Sequence, residues 1–295
     1  DAGGPPVSIV SFQDEEGRFG ALTGSDIWSG RLALEDADKL PADDGGTFGD
    51  ARKALRPIGS VVPPDLFSGF IELHIEQGPI LDDEGGAVGV VTDIVGARQM
   101  TIRLGGEQNH AGTTPMHLRR DAVAGFVALH AGIERRFADL LGPATVWTVG
   151  QIDVLPNAGS IVPGEVRFTL QWRDPSEPRL ADMEEAARET VSAVAAARGL
   201  EAGVTDAWAL APTAMDPALV EACAKAAEAV APNRWRKMIS GAIHDARNVA
   251  AVLPSAMLFV PSIGGVSHSF DEDTREDDLV TGVRTLAAAV ARVQP

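Results

Sequence analysis

An α/β domain interrupted by a two-layer α+β insert is the fold class the sequence predicts, on three observations. Short apolar runs at Val7–Phe12, Phe70–Ile75 and Met257–Pro261 are bounded by polar or breaker residues, the pattern of strands buried on both faces of a parallel sheet. They fall at the two ends of the chain. Between them Gln99–Leu104, Ala144–Val154 and Glu165–Arg173 alternate apolar with polar residues, as strands covered on one face do. Two helical periodicities share that middle region. Together these predict a discontinuous α/β domain, 1–96 and 207–295, and an insert, 97–206.

The elements follow in order. After Val7–Phe12 comes the acidic cluster "DEEG", then Ser29–Pro64, rich in Asp, Gly and Pro, with a helix expected over Leu32–Leu40 and loop elsewhere. In the insert, apolar residues spaced by three and four (Ala122, Phe126, Leu129, Ile133) predict a helix over Arg120–Phe137. A second helix, Glu177–Arg198, has Asp174-Pro175-Ser176 as its start signal and stops at Gly199. A helix is expected to begin near Asp245.

Composition bounds the chemistry. The 295 residues are 45% apolar, enough for substantial cores. A formal net charge of −17 argues against nucleic acid or an anionic membrane as partner and for a small substrate. No stretch approaches the roughly 18 apolar residues of a membrane span. A lone cysteine, Cys223, excludes an internal disulfide, suits a reducing cytoplasm, and in its alanine-rich run reads as core packing rather than nucleophile. The start at Asp1, without methionine, reads as processed, trimmed or incomplete.

Six histidines are few enough to weigh singly. His74, in "ELHIEQGP", shares a strand face with Glu76 at the strand's carboxyl end, where open α/β sheets place their sites; a polar strand end feeding the turn Gln77-Gly78-Pro79 has the same pattern. His268, in "GGVSHSFDED", suits a tight loop holding a ligand, or an ordinary surface loop. His244, in "SGAIHDA", reads first as a turn residue capping the following helix. His110, in "GGEQNHAGTTPM", precedes Thr and Pro residues that compose a helix start but do not require the histidine. His117 and His130 read as surface or packing residues. Paired glutamates with strand-end and loop histidines make a ligand set for a borderline divalent metal, with a second glutamate left as base.

"DEEGRFG", "ELHIEQGP", "NHAGTTPM" with "RRDA", "PNAGSIVPG…QWRD", "SGAIHDA" and "GGVSHS", in this order, resemble the binuclear metal amidohydrolases that include N-carbamoyl-L-amino-acid hydrolases, β-ureidopropionases and allantoate amidohydrolases, within the aminoacylase and carboxypeptidase clan. The resemblance implies that Glu15 is the general base and that Glu16, His74 and His268 ligate two divalent ions, Zn, Mn, Co or Ni. It implies that the insert is a lid and dimerisation domain whose His110 reaches the partner subunit's site to stabilise the oxyanion. Arg173 would hold the substrate carboxylate, with His244, Gln77, Asn157 and Ser160 lining the pocket. Ser160 stands where asparagine is frequent, Ile243 where glycine is, and Phe270 where proline is.

The implied activity is hydrolysis of a linear ureido or carbamoyl C–N bond, foremost of an N-carbamoyl-L-amino acid, by a cytoplasmic homodimer. Allantoate hydrolysis, a peptidase of the same clan, and a non-catalytic dimeric small-molecule-binding remnant are the alternatives. The family's H-x-D metal motif, with its bridging aspartate, has no counterpart, since none of the six histidines is followed two positions later by Asp. The chain is therefore expected to lack the first strands and helices of its parallel sheet, to hold one ion or none, and to be poorly active alone.

Overall fold

A computed structural model describes residues 6–55 and 62–293. The chain separates into two compact units, residues 1–94 with 213–295, and residues 95–212. In chain order the elements are α1 (Thr23–Trp28), α2 (Leu34–Ala37), α3 (Phe48–Ala54), β1 (Phe70–Ile75), α4 (Ile80–Glu84) and β2 (Val88–Ile94), followed in the second unit by β3 (Gly96–Gly105), β4 (Asn109–His110), α5 (Ala122–Ala138), β5 (Val146–Leu155), β6 (Ile161–Val162), β7 (Glu165–Asp174), α6 (Glu177–Arg198) and β8 (Glu201–Leu210). The first unit then resumes with β9 (Thr213–Ala214), α7 (Pro217–Val230), β10 (Trp235–Ser240), α8 (Asp245–Val249), β11 (Ser255–Val260) and α9 (Glu276–Val290).

The sheet of the first unit runs β1-β11-β2-β10, with β9 beside β2. It joins two parallel pairs, β1 with β11 and β2 with β10, through an antiparallel contact between β11 and β2. β11 is buried along its whole length, as its unbroken apolar run requires. Helices α7 and α9 pack on this sheet and on each other. Asp216 starts α7 by accepting from the backbone N–H groups of Ala218 and Leu219, and Glu276, Asp277 and Asp278 place negative charge in the first turn of α9. A side chain at Gly282 would stand 2.4 Å from Val260 Cγ1, so glycine is what lets α9 lie against β11.

Val7–Phe12, expected as a buried strand, has no strand pairing and its side chains are largely exposed, Ile9 to 95%. Apolar composition makes a strand only where a neighbouring backbone accepts its N–H and C=O groups. The helix expected over Leu32–Leu40 shrinks to the single turn α2. Around it α1 and α3 form instead, the latter opened by a reciprocal Thr47–Asp50 capping box. Residues 56–61 of the Ser29–Pro64 segment lie outside the described residues.

The second unit is two-layered. Its sheet runs β5-β7-β3-β8, antiparallel throughout. Along β7, Val166, Phe168, Leu170 and Trp172 are buried while the residues between them are not, so alternation in the sequence becomes one covered face. Helices α5 and α6 supply that cover. Asp121 caps α5, Ser176 caps α6, and Gly199 ends α6 in the left-handed conformation. The unit runs from 95 to 212 because β8 pairs with β3 as far as Leu210; a boundary at 206 would cut that strand.

Candidate metal and catalytic site

The acidic cluster divides by role. Asp14, at φ 62°, accepts from the N–H groups of Phe19 and Gly20 and from the Thr23 hydroxyl, so it folds the turn that leads into α1. Glu16 is exposed, and its Oε2 lies 3.8 Å from His268 Nε2. Glu15, half-buried, offers an oxygen within 4.8 Å of ring nitrogens of His74 and His244, which lie within the same distance of each other. Burial raises the Glu15 pKa, as do Glu16 and Asp245, while His74 and His268 pull it back.

The two inner histidines have defined tautomers. His74 stands at the end of β1, and its Nδ1 lies 2.8 Å from the Ile75 carbonyl, which can only accept. Nδ1 therefore carries a hydrogen, and in the neutral ring the lone pair is on Nε2. His244 is fully buried, 4.5 Å from the His74 ring between centroids. The Ser240 hydroxyl gives its hydrogen to the Ala242 carbonyl at 2.8 Å, so toward His244 Nε2, at 2.9 Å, it accepts. His244 Nδ1 is left as a buried acceptor with no hydrogen-bond partner among the described residues. Burial, then the His74 charge, pushes the His244 pKa down to about 3, so the ring is neutral near pH 7. Although His244 is the first residue before α8, its side chain makes no cap there.

Two further residues hold the frame. Glu72 Oε2 accepts from the Ala246 N–H at 2.7 Å, tying β1, which carries His74, to the start of α8 beside His244. Burial pushes the Glu72 pKa up to about 8 against that hydrogen bond, with Asp245 and Glu15 adding to the rise. Glu76, read from the sequence as facing the site beside His74, instead accepts from Ile80 and Leu81 N–H and caps α4. A carboxylate at a helix N-terminus satisfies two orphan donors at once.

The His268 loop is fastened from both sides. Ser262 Oγ accepts from Gln77 N–H, Asp82 accepts from Gly264 N–H, and Glu272 accepts from His268 N–H. Thr274 donates to the Pro261 carbonyl. The Gln77 side-chain nitrogen lies 3.5 Å from His268 Nε2, so Gln77 meets the Glu16–His268 pair. Phe270 is fully exposed beside them and lines the same shallow recess, of about 360 Å³, as Glu16, His268, Ser269 and Glu272.

The remaining expected residues belong to the second unit. His110 Nδ1 accepts from Gly112 and Thr113 N–H groups at 3.0 and 3.1 Å, which leaves Nε2–H as a donor. Ser160 is brought beside it, since Ala111 N–H donates to the Ser160 carbonyl and β4 pairs with β6. Asn157, at φ 53°, lies exposed in the turn between β5 and β6. Arg173 is on the less covered face of β7, where its Nε donates to Gln171 and burial lowers its pKa. His117 is exposed, and His130 packs between Phe126 and Trp147.

The profile of Peptidase family M20/M25/M40 matches residues 2–292. The chain belongs to that family. Among its M20 relatives, the N-carbamoyl-L-amino-acid amidohydrolase of Paenarthrobacter aurescens is 39% identical over 289 residues, 95% of this chain and 69% of the relative. The allantoate amidohydrolase of Escherichia coli (strain K12) is 37% identical, over 95% of this chain and 69% of its own length. A crystal structure of an amidase of the hydantoinase/carbamoylase family from Burkholderia phymatum superposes with a TM-score of 0.87 at 40% identity, over 96% of this chain and 69% of that one. The resemblance read from the motifs, the α/β class with an insert, and an amidohydrolase ancestry agree with these M20 relatives.

Glu72 and Ser240 escaped the sequence reading. Glu72 had a signal, since it lies two residues before His74 on the same strand face. Ser240 had none, because only the fold returns its hydroxyl to the ring of a residue four positions on.

Proposed function

We propose that the protein is a metal-dependent amidohydrolase acting on a linear ureido or carbamoyl C–N bond, with an N-carbamoyl-L-amino acid as the foremost substrate. The observation that carries this is Glu15, a half-buried carboxylate of raised pKa among His74, His244 and the Glu16–His268 pair. The reaction is RNHCONH2 + H2O giving RNH2, CO2 and NH3. Allantoate offers the same ureido and carboxylate groups and is the second substrate class, which the E. coli relative's name supports.

The donors fit divalent ions. Glu16 with His268 would hold one and His74 the other; Zn, Mn, Co and Ni all suit this mixture of imidazole and carboxylate. Such ions polarise the carbonyl and make water more acidic. Glu15, made more basic by burial and by Glu16, takes a proton from the attacking water and delivers it to the departing nitrogen. His110, held as a donor through Nε2–H, would place that hydrogen on the developing oxyanion of a second subunit. Arg173, cationic despite its burial, suits the substrate carboxylate, with Asn157 and Ser160 as pocket residues. Dimerisation through residues 97–206 and a cytoplasmic location belong to the same proposal. No helix among the described residues is long and apolar enough to cross a membrane.

Ammonia release from N-carbamoyl-L-amino acids, β-ureidopropionate and allantoate, with manganese or zinc in excess, tests it. Metal-dependent release that Glu15→Gln removes is expected. Substrate binding without release from any of them would instead favour the small-molecule-binding alternative.

A further inference from the structure

We infer that Arg119 is a positioning residue for His110, fixing through the turn 111–114 the ring tautomer that leaves Nε2–H as a donor. The inference deepens the hydrolase reading and rests on it for what that donor does, not for how the ring is held. His110 sits on a slight support. Strands β4 and β6 are two residues each, and none of residues 107–120 is buried, so packing does not fix the imidazole. Hydrogen bonds must. Nδ1 accepts from the N–H groups of Gly112 and Thr113, and the His110 carbonyl accepts from the Thr114 N–H at 3.2 Å and from the Thr114 hydroxyl at 2.8 Å.

Arg119 closes this arrangement from outside the turn. Its guanidinium presents the edge that carries Nε–H and Nη2–H as a fork, Nε donating to the Thr114 carbonyl at 3.1 Å and Nη2 to the Ala111 carbonyl. These carbonyls bracket the Gly112 and Thr113 amides, so one planar cation sets the direction of both. The Ala111 carbonyl and the Gly112 N–H also belong to a single peptide plane. A cation on the oxygen polarises that unit and makes its N–H a stronger donor to His110 Nδ1. Arg119 itself is moored. It is half-buried between the exposed Leu118 and Arg120, and it lies just before Asp121, which caps α5. Arg120 holds the approach to His110 by a separate route, since Glu107 accepts from Arg120 Nη2 on one oxygen and from Asn109 Nδ2 on the other. The polar residues of "RRDA" thus have different tasks, and only that of Arg119 reaches the amides that hold the imidazole.

The full chain, labelled with nitrogen-15 in its histidines, is observed by NMR at about pH 8.5, well above the titration of free histidine, with His110→Ala assigning the ring signals. Wild type is expected to show His110 with a protonated Nε2 and a bare Nδ1. Arg119→Ala is expected to draw the two signals toward a common average, as exchange between tautomers does. Arg119→Lys, which keeps the charge without the fork, should give part of that shift, and Arg120→Ala none. Circular dichroism confirms folding, and the lysine variant decides if the alanine variant does not fold. His110 signals unmoved by loss of Arg119, or already averaged in wild type, would overturn the inference. In turnover, Arg119→Ala should lower kcat about tenfold with KM unchanged, less than the about 10²- to 10³-fold that losing an oxyanion donor costs, and should cost nothing further in a His110→Ala background. A tautomer lost with Arg119 in a chain that hydrolyses no ureido compound leaves the positioning role standing and removes the hydrolase reading; hydrolysis with tautomer and kcat unchanged in Arg119→Ala does the reverse.

Discussion

The candidate centre has an inner and an outer half, and they are built from the same residue types. Inside, Glu15, His74 and His244 are partly or wholly buried, and each imidazole has one nitrogen fixed by an oxygen. Outside, Glu16 and His268 are 67% and 68% exposed and touch only at 3.8 Å. Burial makes the difference. An exposed carboxylate and imidazole in water interact by a fraction of a kcal/mol. A carboxylate half-withdrawn from water, with Glu16 beside it, changes its basicity and becomes useful as a ligand or base.

That contrast can be broken by mutation. The largest effect expected is Glu15→Gln, which should lower kcat by about 10²- to 10⁴-fold with the fold intact, as ammonia release and circular dichroism would show. A loss no greater than that of Glu16→Gln would put the two halves on an equal footing.

Next in size is Cys223, which separates burial from chemistry. Burial pushes its pKa up to about 12 from an ordinary 9.0. Its thiolate fraction at pH 9 should be about 10³-fold below that of an exposed thiol, so Ellman's reagent should react with it only after unfolding. The raised value favours the neutral thiol in the folded state. The stability it contributes is complete below pH 9 and is lost as the pH climbs toward 12, which urea melts across that window would show.

Smaller again is Glu72→Ala, which leaves the Ala246 N–H without its acceptor and should cost about 1–3 kcal/mol in urea unfolding. Glu72→Gln keeps an accepting oxygen there and should recover most of that loss. The smallest is Glu16→Ala or His268→Ala. These exposed residues should change stability by less than about 0.5 kcal/mol while removing any second metal equivalent seen by calorimetry.

How much of this the sequence shows depends on whether the signal is local. Glu177–Arg198 is legible to the residue because its proline, serine cap and terminal glycine all lie within the segment they delimit. The alternation of β7 is legible because one face is covered along the whole strand. Val7–Phe12 misleads because strand formation depends on a partner backbone that local composition does not report. β2 and β10 are apolar or mixed runs whose identity comes from pairing with each other across more than a hundred residues.

In the site, the paired glutamates, His74 and His268 stand out by motif, but the division of labour does not. Asp14 and Glu76 look as reactive as Glu15 in the sequence and turn out to serve a turn and a helix cap. His244 looks like a cap and turns out to be a buried ring with one unclaimed nitrogen.

The double fastening of the His268 loop has a consequence for proteolysis. Phe270, fully exposed at the loop's crest, is the natural target for a protease that cuts after aromatic residues. A single cut there would leave His268 on a stub anchored through Ser262 and Asp82, and the other end anchored through Glu272 and Thr274. The nicked protein should therefore migrate as two fragments in denaturing gels and elute as one species from a sizing column.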